Sequence, residues 1–379
     1  MVNQDRLMDT FCKLVRIDSV SREEKEVSEV LQEMLKEFDA EIYIDDSMEK
    51  TGSDTGNLVA KIPGNVDVPP MILSGHMDTV EPGRGIEPVF KDGVFSSAGD
   101  TILAADDKSA LAIIFEILHI LKENNLKHGP IELVLTVCEE VGLLGAKHFD
   151  FSLIDSTFGY VLDSTDAEGI VTKAPFAYRF EFKIHGKAAH AGAAPEKGVN
   201  AISIAGRAIA GIESGRVDSE TTCNIGTIEG GVATNVVPPL VVVTGEARGH
   251  NKAKLDAVKV SMVAAFEAAV DAAKTDGADL PYLEVIVETD FPGTDIPGDH
   301  EVVLLAKKAA ANLGAEMKTK TVGGGADANI FFEKGIVTGV IGTGMTDLHT
   351  VNETIKLEDM LKATAVILEI IRLHAEGNK

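Results

Sequence analysis

The sequence predicts an α/β protein with a second, α+β domain of ferredoxin-like order inserted into the first. Three observations carry this. Up to about residue 176, short apolar runs that end on acidic residues alternate with stretches of helical period; from Ala177 the pattern becomes strict alternation, A-Y-R-F-E-F-K-I-H; after residue 291 the first pattern returns. A chain of 379 residues also exceeds what one hydrophobic core usually serves. The expected partition is 1–176 and 291–379 for the larger domain and 177–290 for the inserted one.

Taken in order, Leu7, Phe11, Leu14 and Val15 share one face of a helix over 3–16, and Val27, Val30, Leu31, Met34, Leu35 and Phe38 one face of a helix over 21–38. Ser21 and Glu24 have the spacing of a capping box for that second helix. Residues 57–62 and 71–73 read as strands, and the stretch M-I-L-S-G-H-M-D-T-V ends on His76 and Asp78, two apart and so pointing the same way. The Gly- and Pro-rich residues 81–99 read as a loop. Asp106 and Asp107 then precede an apolar helix, where capping is one reading of them. A strand from Ile131 ends on Glu139 and Glu140, and another, G-Y-V-L-D-S, ends on Asp163. The inserted domain follows β-α-β-β-α-β: a strand from Ala177, a helix over 200–212, strands over 221–228 and 240–245, a helix over 252–273 and a strand over 282–289. Beyond it come a helix over 301–312, a glycine-rich turn at 323–328, a helical 330–334, a strand over 337–341, a loop carrying His349, and a closing helix over 357–374.

A formal net charge of −25 opposes binding to phosphate backbones or anionic lipid, so nucleic acid and membrane are set aside as partners. Cys12, Cys138 and Cys223 are far apart, with no C-x-x-C, which argues against both a disulfide framework and a thiolate zinc site. The N-terminus lacks the pattern of a secretory leader, and no apolar run reaches the length of a membrane span. A cytoplasmic protein is expected.

Acid-bearing strand ends that converge on one sheet edge need a compensating cation. Imidazole and carboxylate without thiolate suit zinc, or cobalt or manganese. His76, Asp78, Asp106, Asp107, Glu139, Glu140, Asp163 and His349 offer more donors than one tetrahedral ion takes, which points to two metals sharing a carboxylate and to hydrolysis. A further carboxylate, free of metal, must then take a proton from water. The residues alone do not choose between Glu139 and Glu140.

S-G-H-M-D-T-V, A-A-D-D-K, T-V-C-E-E-V-G-L-L-G, V-L-D-S and D-L-H-T-V-N-E, with H-G-K-A-A-H-A-G and E-G-G-V-A-T-N-V-V-P in the inserted domain, occur in the order of a known family. The chain resembles the di-zinc exopeptidases and amidohydrolases that include tripeptidase T, glutamate carboxypeptidase, aminoacylase and succinyl-diaminopimelate desuccinylase. The resemblance implies a three-layer α/β/α zinc-peptidase domain with a ferredoxin-like lid and dimerisation domain, two Zn2+ per subunit (or Co2+ or Mn2+), and a homodimer formed through the lid. It implies His76 and Asp163 as ligands of one metal, Glu140 and His349 of the other, and Asp106 as the bridge, followed by Asp107 across a cis peptide. Asp78 would orient His76, and Glu139 would be the general base. His190 would reach into the partner subunit's site and stabilise the oxyanion, while Asn235 and Arg248 hold the substrate.

The G-G-G-A-D-A-N loop from Gly323 has glycines, Gly323 and Gly324 foremost, that let backbone approach a peptide, with the N–H groups of the following helix offered to an anion. Cys138 reads as a small buried hydrophobe. The form of T-I-L-A-A-D-D-K and of the glycine loop is closest to the tripeptidase T branch, although Ala104 stands where that branch has Gly and Ser109-Ala110 replaces Ala-Gly. The function implied is a metallopeptidase, a tripeptide aminopeptidase acting on short peptides. The alternatives are an N-acyl-amino-acid or dipeptide amidohydrolase or carboxypeptidase on the same metals, and a metal-bearing binding protein without catalysis, which an intact Glu139 opposes.

Overall fold

The structure, a computed structural model, describes residues 2–275 and 279–377. It divides into two compact units, one of residues 1–173, 294–322 and 326–379, the other of residues 174–293 and 323–325.

In the larger unit the described residues form a nine-stranded sheet. From one edge its strands run Glu41–Ile44, Leu58–Ile62, Ile131–Thr136, Met71–His76, Phe158–Val161, Val337–Ile341, Gly169–Ala174 and Thr294–Asp295, with Lys318–Thr321 also beside Gly169–Ala174. The four neighbours from Ile131–Thr136 to Val337–Ile341 are parallel, so their carboxyl ends share one edge. Every residue of Met71–His76 and Ile131–Thr136 is buried, which is why their apolar residues are not confined to alternate positions.

Helices Gln4–Val15 and Leu357–Ala375 both pack on Ala105–Glu123. Leu7, Phe11, Leu14 and Val15 are fully buried, so the apolar stripe of the first helix is its core face. Each such side chain contributes roughly 2 kcal/mol of burial. No helix among the described residues is long and apolar enough to cross a membrane.

Two sequence expectations fail here. The second helix begins at Lys25, and neither Ser21 nor Glu24 caps it: the Ser21 hydroxyl goes to Asp78, and the Glu24 carboxylate to Cys138 and Ser53. Tertiary partners took both residues. Residues 81–99 also contain more than a loop. Pro88–Lys91 and Val94–Ser97 form a hairpin, and Val94–Ser97 pairs in turn with Thr354–Lys356. Its turn is Asp92-Gly93, both at positive φ (+52° and +83°), the two-residue Asp-Gly connection that suits the twist of paired strands.

The smaller unit is a five-stranded antiparallel sheet in the order Gly215–Arg216, Thr221–Gly230, Leu240–Gly249, Phe176–His185, Tyr282–Phe291. Its four long strands have the ferredoxin-like order. Helices Ala201–Ala210 and Lys252–Asp271 cover an apolar face in which the Phe182 and Phe266 rings stack 3.8 Å apart.

Candidate metal centre

Three of the four parallel strand ends deliver acids to one place because each chain turns just past the sheet, and the fourth leads to His349. His76 is the last residue of its strand, and Asp78 follows in the turn. The His76 Nδ1 lies 2.9 Å from the Asp78 carbonyl, which can only accept, so Nδ1 carries a proton and Nε2 faces Asp106 Oδ1 at 3.1 Å. The Asp78 carboxylate stands farther off, with Oδ1 3.4 Å from Nδ1. Its oxygens are taken by the Glu139 N–H at 2.9 Å, the Glu140 N–H at 3.2 Å and the Ser21 hydroxyl at 2.7 Å. Asp78 therefore orients His76 through its backbone and the two glutamates through its side chain.

Asp106 is the common member of the cluster. Single ligand atoms of His76, Asp106 and Glu140 lie within 4.8 Å of one another, as do those of Asp106, Asp107 and Asp163. His349 Nε2 is 3.0 Å from Glu140 Oε2 and 3.3 Å from Asp106 Oδ2. A cis peptide joins Asp106 to Asp107, and Asp107 Oδ2 accepts the His76 backbone N–H at 3.1 Å. Asp107 thereby fixes the strand end as well as standing near Asp163.

Packed so closely, the groups shift one another. Burial, then Asp163 and Asp327, pushes Glu139 well above the usual carboxylate range, and burial does the same to Asp107. Asp163 rises to about 8, from burial first and Asp106 next. Asp106 goes the other way: burial would raise it, but hydrogen bonds from His349 and His76 outweigh that. His349, hydrogen-bonded to Asp106 and Glu140, rises to about 10. His76 also rises, its carboxylate partners overcoming burial.

Acids that hold protons beside imidazoles that keep theirs form a cluster short of positive charge. Asp107 Oδ1 and Glu140 Oε1 are buried without a partner among the described residues, as a metal site requires of some of its oxygens. With imidazole and carboxylate as the donors, the residues fit divalent metal.

Three residues that the sequence did not mark hold these groups in place. Glu353 accepts the backbone N–H groups of Leu103, Ala104 and Asp106, and Glu24 accepts that of Cys138. Ser109, one of the noted departures, donates to Thr343 at 2.8 Å and so ties the Asp106 helix to the segment leading to His349. Ala104, Cys138 and His349 have φ of +60°, +53° and +60°, a left-handed conformation unfavourable to side chains by roughly 1 kcal/mol each and held by these contacts. Glu24 entered only through the capping-box spacing, Glu353 only as the last residue of D-L-H-T-V-N-E and Ser109 only as a departure, none of them with this role.

The remaining expected residues lie in the smaller unit. His190 is exposed, and its Nδ1 accepts the Gly192 and Ala193 N–H groups at 3.2 and 3.1 Å, so the neutral ring carries its proton on Nε2. The Asn235 carbonyl accepts the Ala191 N–H. Arg248 spans the Gly323 carbonyl at 3.2 Å and Glu246 at 3.0 Å, over the Phe291 ring. Gly323 and Gly324 face open space, whereas a Cβ on Gly325 would meet Phe291 at 2.7 Å, so close approach demands glycine at that third position.

The anion expected at the following helix has no place there. That helix begins on Asp327, a buried carboxylate bonded to Thr136, and an anion would meet like charge. Cys138 is buried and donates its thiol to Glu24, as a structural cysteine rather than a nucleophile.

Two family models match the sequence, one described as a peptidase dimerisation domain over residues 177–274, the other as peptidase family M28 over residues 57–169. The uncharacterised protein YqjE of Bacillus subtilis is 42% identical over 377 residues, 99% of this chain and 100% of that protein. The crystal structure of aminopeptidase PepT from Bacillus cereus is 41% identical, covers 99% of both chains and gives a TM-score of 0.88. That of a tripeptidase from Staphylococcus aureus is 37% identical over 99% of this chain and 100% of its own, with a TM-score of 0.93. A dinuclear metal-binding peptidase of the M20 family from Bacillus subtilis, 21% identical over 99% of both chains, shares the fold at a TM-score of 0.73.

Proposed function

The chain belongs to the M20 family of metallopeptidases, and on that premise we propose that it is a zinc-dependent tripeptide aminopeptidase, cytoplasmic and homodimeric. The observation that carries the reading is the unequal pair at the end of Ile131–Thr136. One Asp78 carboxylate holds both backbones, yet the Glu140 side chain faces His349 while that of Glu139 has no hydrogen bond among the described residues.

His76, Asp106, Glu140, Asp163 and His349 would hold two divalent ions, with Asp106 between them. When bound, such ions polarise the scissile carbonyl and acidify water. Glu139, its oxygens unengaged, takes the water's proton and returns it to the leaving amine. The Nε2–H of His190 is a donor suited to the developing oxyanion, offered from the partner subunit. Arg248 grips the peptide carboxylate in exchange for Glu246, with Asn235 and the backbone at Gly323 and Gly324 beside it. The dimerisation-domain match supports two subunits, and three unpaired cysteines suit a reducing compartment.

The test is hydrolysis of free di- and tripeptides and of an N-acetylated tripeptide by the zinc-loaded protein, with and without chelator. Release of the N-terminal residue from free tripeptides, abolished by chelator and by N-acetylation, is expected. Turnover of the acetylated substrate in preference would select the amidohydrolase instead.

A further inference from the structure

Residues 19–24 bridge two of the loops that build the site. At one end, the Ser19 hydroxyl donates to the Met77 carbonyl at 2.8 Å, Ser21 N–H to the Thr79 carbonyl at 3.1 Å, and the Ser21 hydroxyl to Asp78 at 2.7 Å. The segment is thereby fastened to the turn after His76. At the other end Glu24 is fully buried, and its Oε1 accepts the Cys138 N–H at 3.0 Å and the Arg22 N–H at 2.8 Å while Oε2 takes the Ser53 hydroxyl. Three successive N–H groups, of Cys138, Glu139 and Glu140, therefore all end on carboxylates, the first on Glu24 and the other two on Asp78.

We propose that Glu24 is a positioning residue for Glu139: by holding the Cys138 N–H it fixes the left-handed turn at Cys138 that aims the Glu139 side chain. The proposal rests on the reading of Glu139 as the base. Glu24 itself touches neither the metal-facing atoms nor the groups assigned to substrate. Its bond matters because, although Asn57 holds the Val137 N–H and the Leu144 N–H holds the Cys138 carbonyl, Glu24 is what holds the Cys138 N–H, at the left-handed residue that directly precedes Glu139. Misplacement of a catalytic group by about 1 Å costs on the order of a hundredfold in rate. A brace that served the fold alone would lower stability and leave turnover per folded, metal-loaded enzyme unchanged.

The experiment is steady-state kinetics on a tripeptide, with metal content and Tm measured on the same samples, for Glu24→Ala, Glu24→Gln, Glu139→Gln and the double variant Glu24→Ala/Glu139→Gln. Glu24→Ala should keep both metals and KM within about twofold, with kcat lowered about ten- to a hundredfold. Glu24→Gln, whose amide oxygen still accepts the Cys138 N–H, should recover most of that. In the Glu139→Gln background Glu24→Ala should cost less than about twofold, since the group it aims is already disabled. Glu116→Gln, which weakens the buried contact of Glu116 with Arg6 and the Asn3 backbone, serves as the structural control and should lower Tm without changing kcat.

Wild-type kcat in metal-loaded Glu24→Ala, an equal loss in both backgrounds, or a loss that tracks departing metal would each overturn the proposal. If Glu24→Ala does not fold, Ser53→Ala removes the Oε2 partner, together with a long contact from the Thr55 N–H at 3.3 Å, and the same non-additivity with Glu139→Gln is required of it. Full activity in Glu139→Gln would instead remove the base assignment, an outcome distinct from failure at Glu24.

Discussion

Glu353 accepts the backbone N–H of Asp106 at 3.0 Å with one carboxylate oxygen and those of Leu103 and Ala104 at 2.8 Å with the other. Asp106 and Asp107 have non-helical φ/ψ, so the helix proper begins after them, and this carboxylate, supplied from beyond His349, holds the bend that leads into it. Glu353→Ala strands these N–H groups and should cost about 3 kcal/mol or more in denaturant unfolding, together with weaker zinc binding by titration calorimetry. Lost stability with zinc affinity unchanged would show that Asp106 keeps its place without Glu353.

Glu139→Gln should retain two metals per chain by atomic absorption and lose about 100- to 10,000-fold in kcat. Loss of a metal with the activity would make Glu139 a ligand and move the base role elsewhere.

The protein treated with chelator should grow less stable as pH rises. Asp163 is held up to about 8, against 3.8 when free, so over that interval the folded state binds more protons than the unfolded one and stability declines with pH. His349, raised to about 10 from 6.5, works in the same direction at higher pH. Urea midpoints should therefore fall between pH 5 and 8 in chelator. Saturating zinc should flatten that decline, because a cation replaces the protons. A midpoint that climbs with pH in chelator would contradict the arrangement of charges.

Gly93→Ala places a side chain at φ +83°, where no neighbouring atom crowds it and the cost is backbone strain alone, about 1 kcal/mol. The hairpin pairs with Thr354–Lys356, next to the His349 loop, so a small fall in Tm should come with a modest rise in the zinc dissociation constant. An unchanged Tm would mean that the turn relaxes to another type.

The cluster was legible in the sequence wherever an acid ended an apolar run, because a buried strand has one cheap place for a charge, its end. Met71–His76 with Asp78, Ile131–Thr136 with Glu139 and Glu140, and Phe158–Val161 with Asp163 all follow that rule. The short strands Glu41–Ile44 and Lys318–Thr321 passed unnoticed, since strands with mostly exposed residues leave no strong period, and Gly169–Ala174, although buried inside the sheet, passed unnoticed as well. The hairpin at Pro88–Ser97 was marked by Asp92-Gly93, but the glycines and prolines of the surrounding segment outweighed the turn signal. Glu24 and Glu353 lay in the capping-box spacing and in D-L-H-T-V-N-E, but their roles were unreadable for a different reason: the backbone N–H groups that each carboxylate holds lie far along the chain.

Val337–Ile341 sits between Phe158–Val161 and Gly169–Ala174, and His349 follows it close to the C-terminus. On the ribosome, then, the larger unit cannot complete its sheet or gather its full set of donors until Val337–Ile341 and His349, both beyond the inserted unit, have emerged. The strands on either side of the vacant position wait with open edges while the inserted unit, contiguous in sequence, is made and can fold. Metal capture is accordingly a late event in the life of each molecule, and a truncation before Val337 removes His349 together with the strand that joins Phe158–Val161 to Gly169–Ala174.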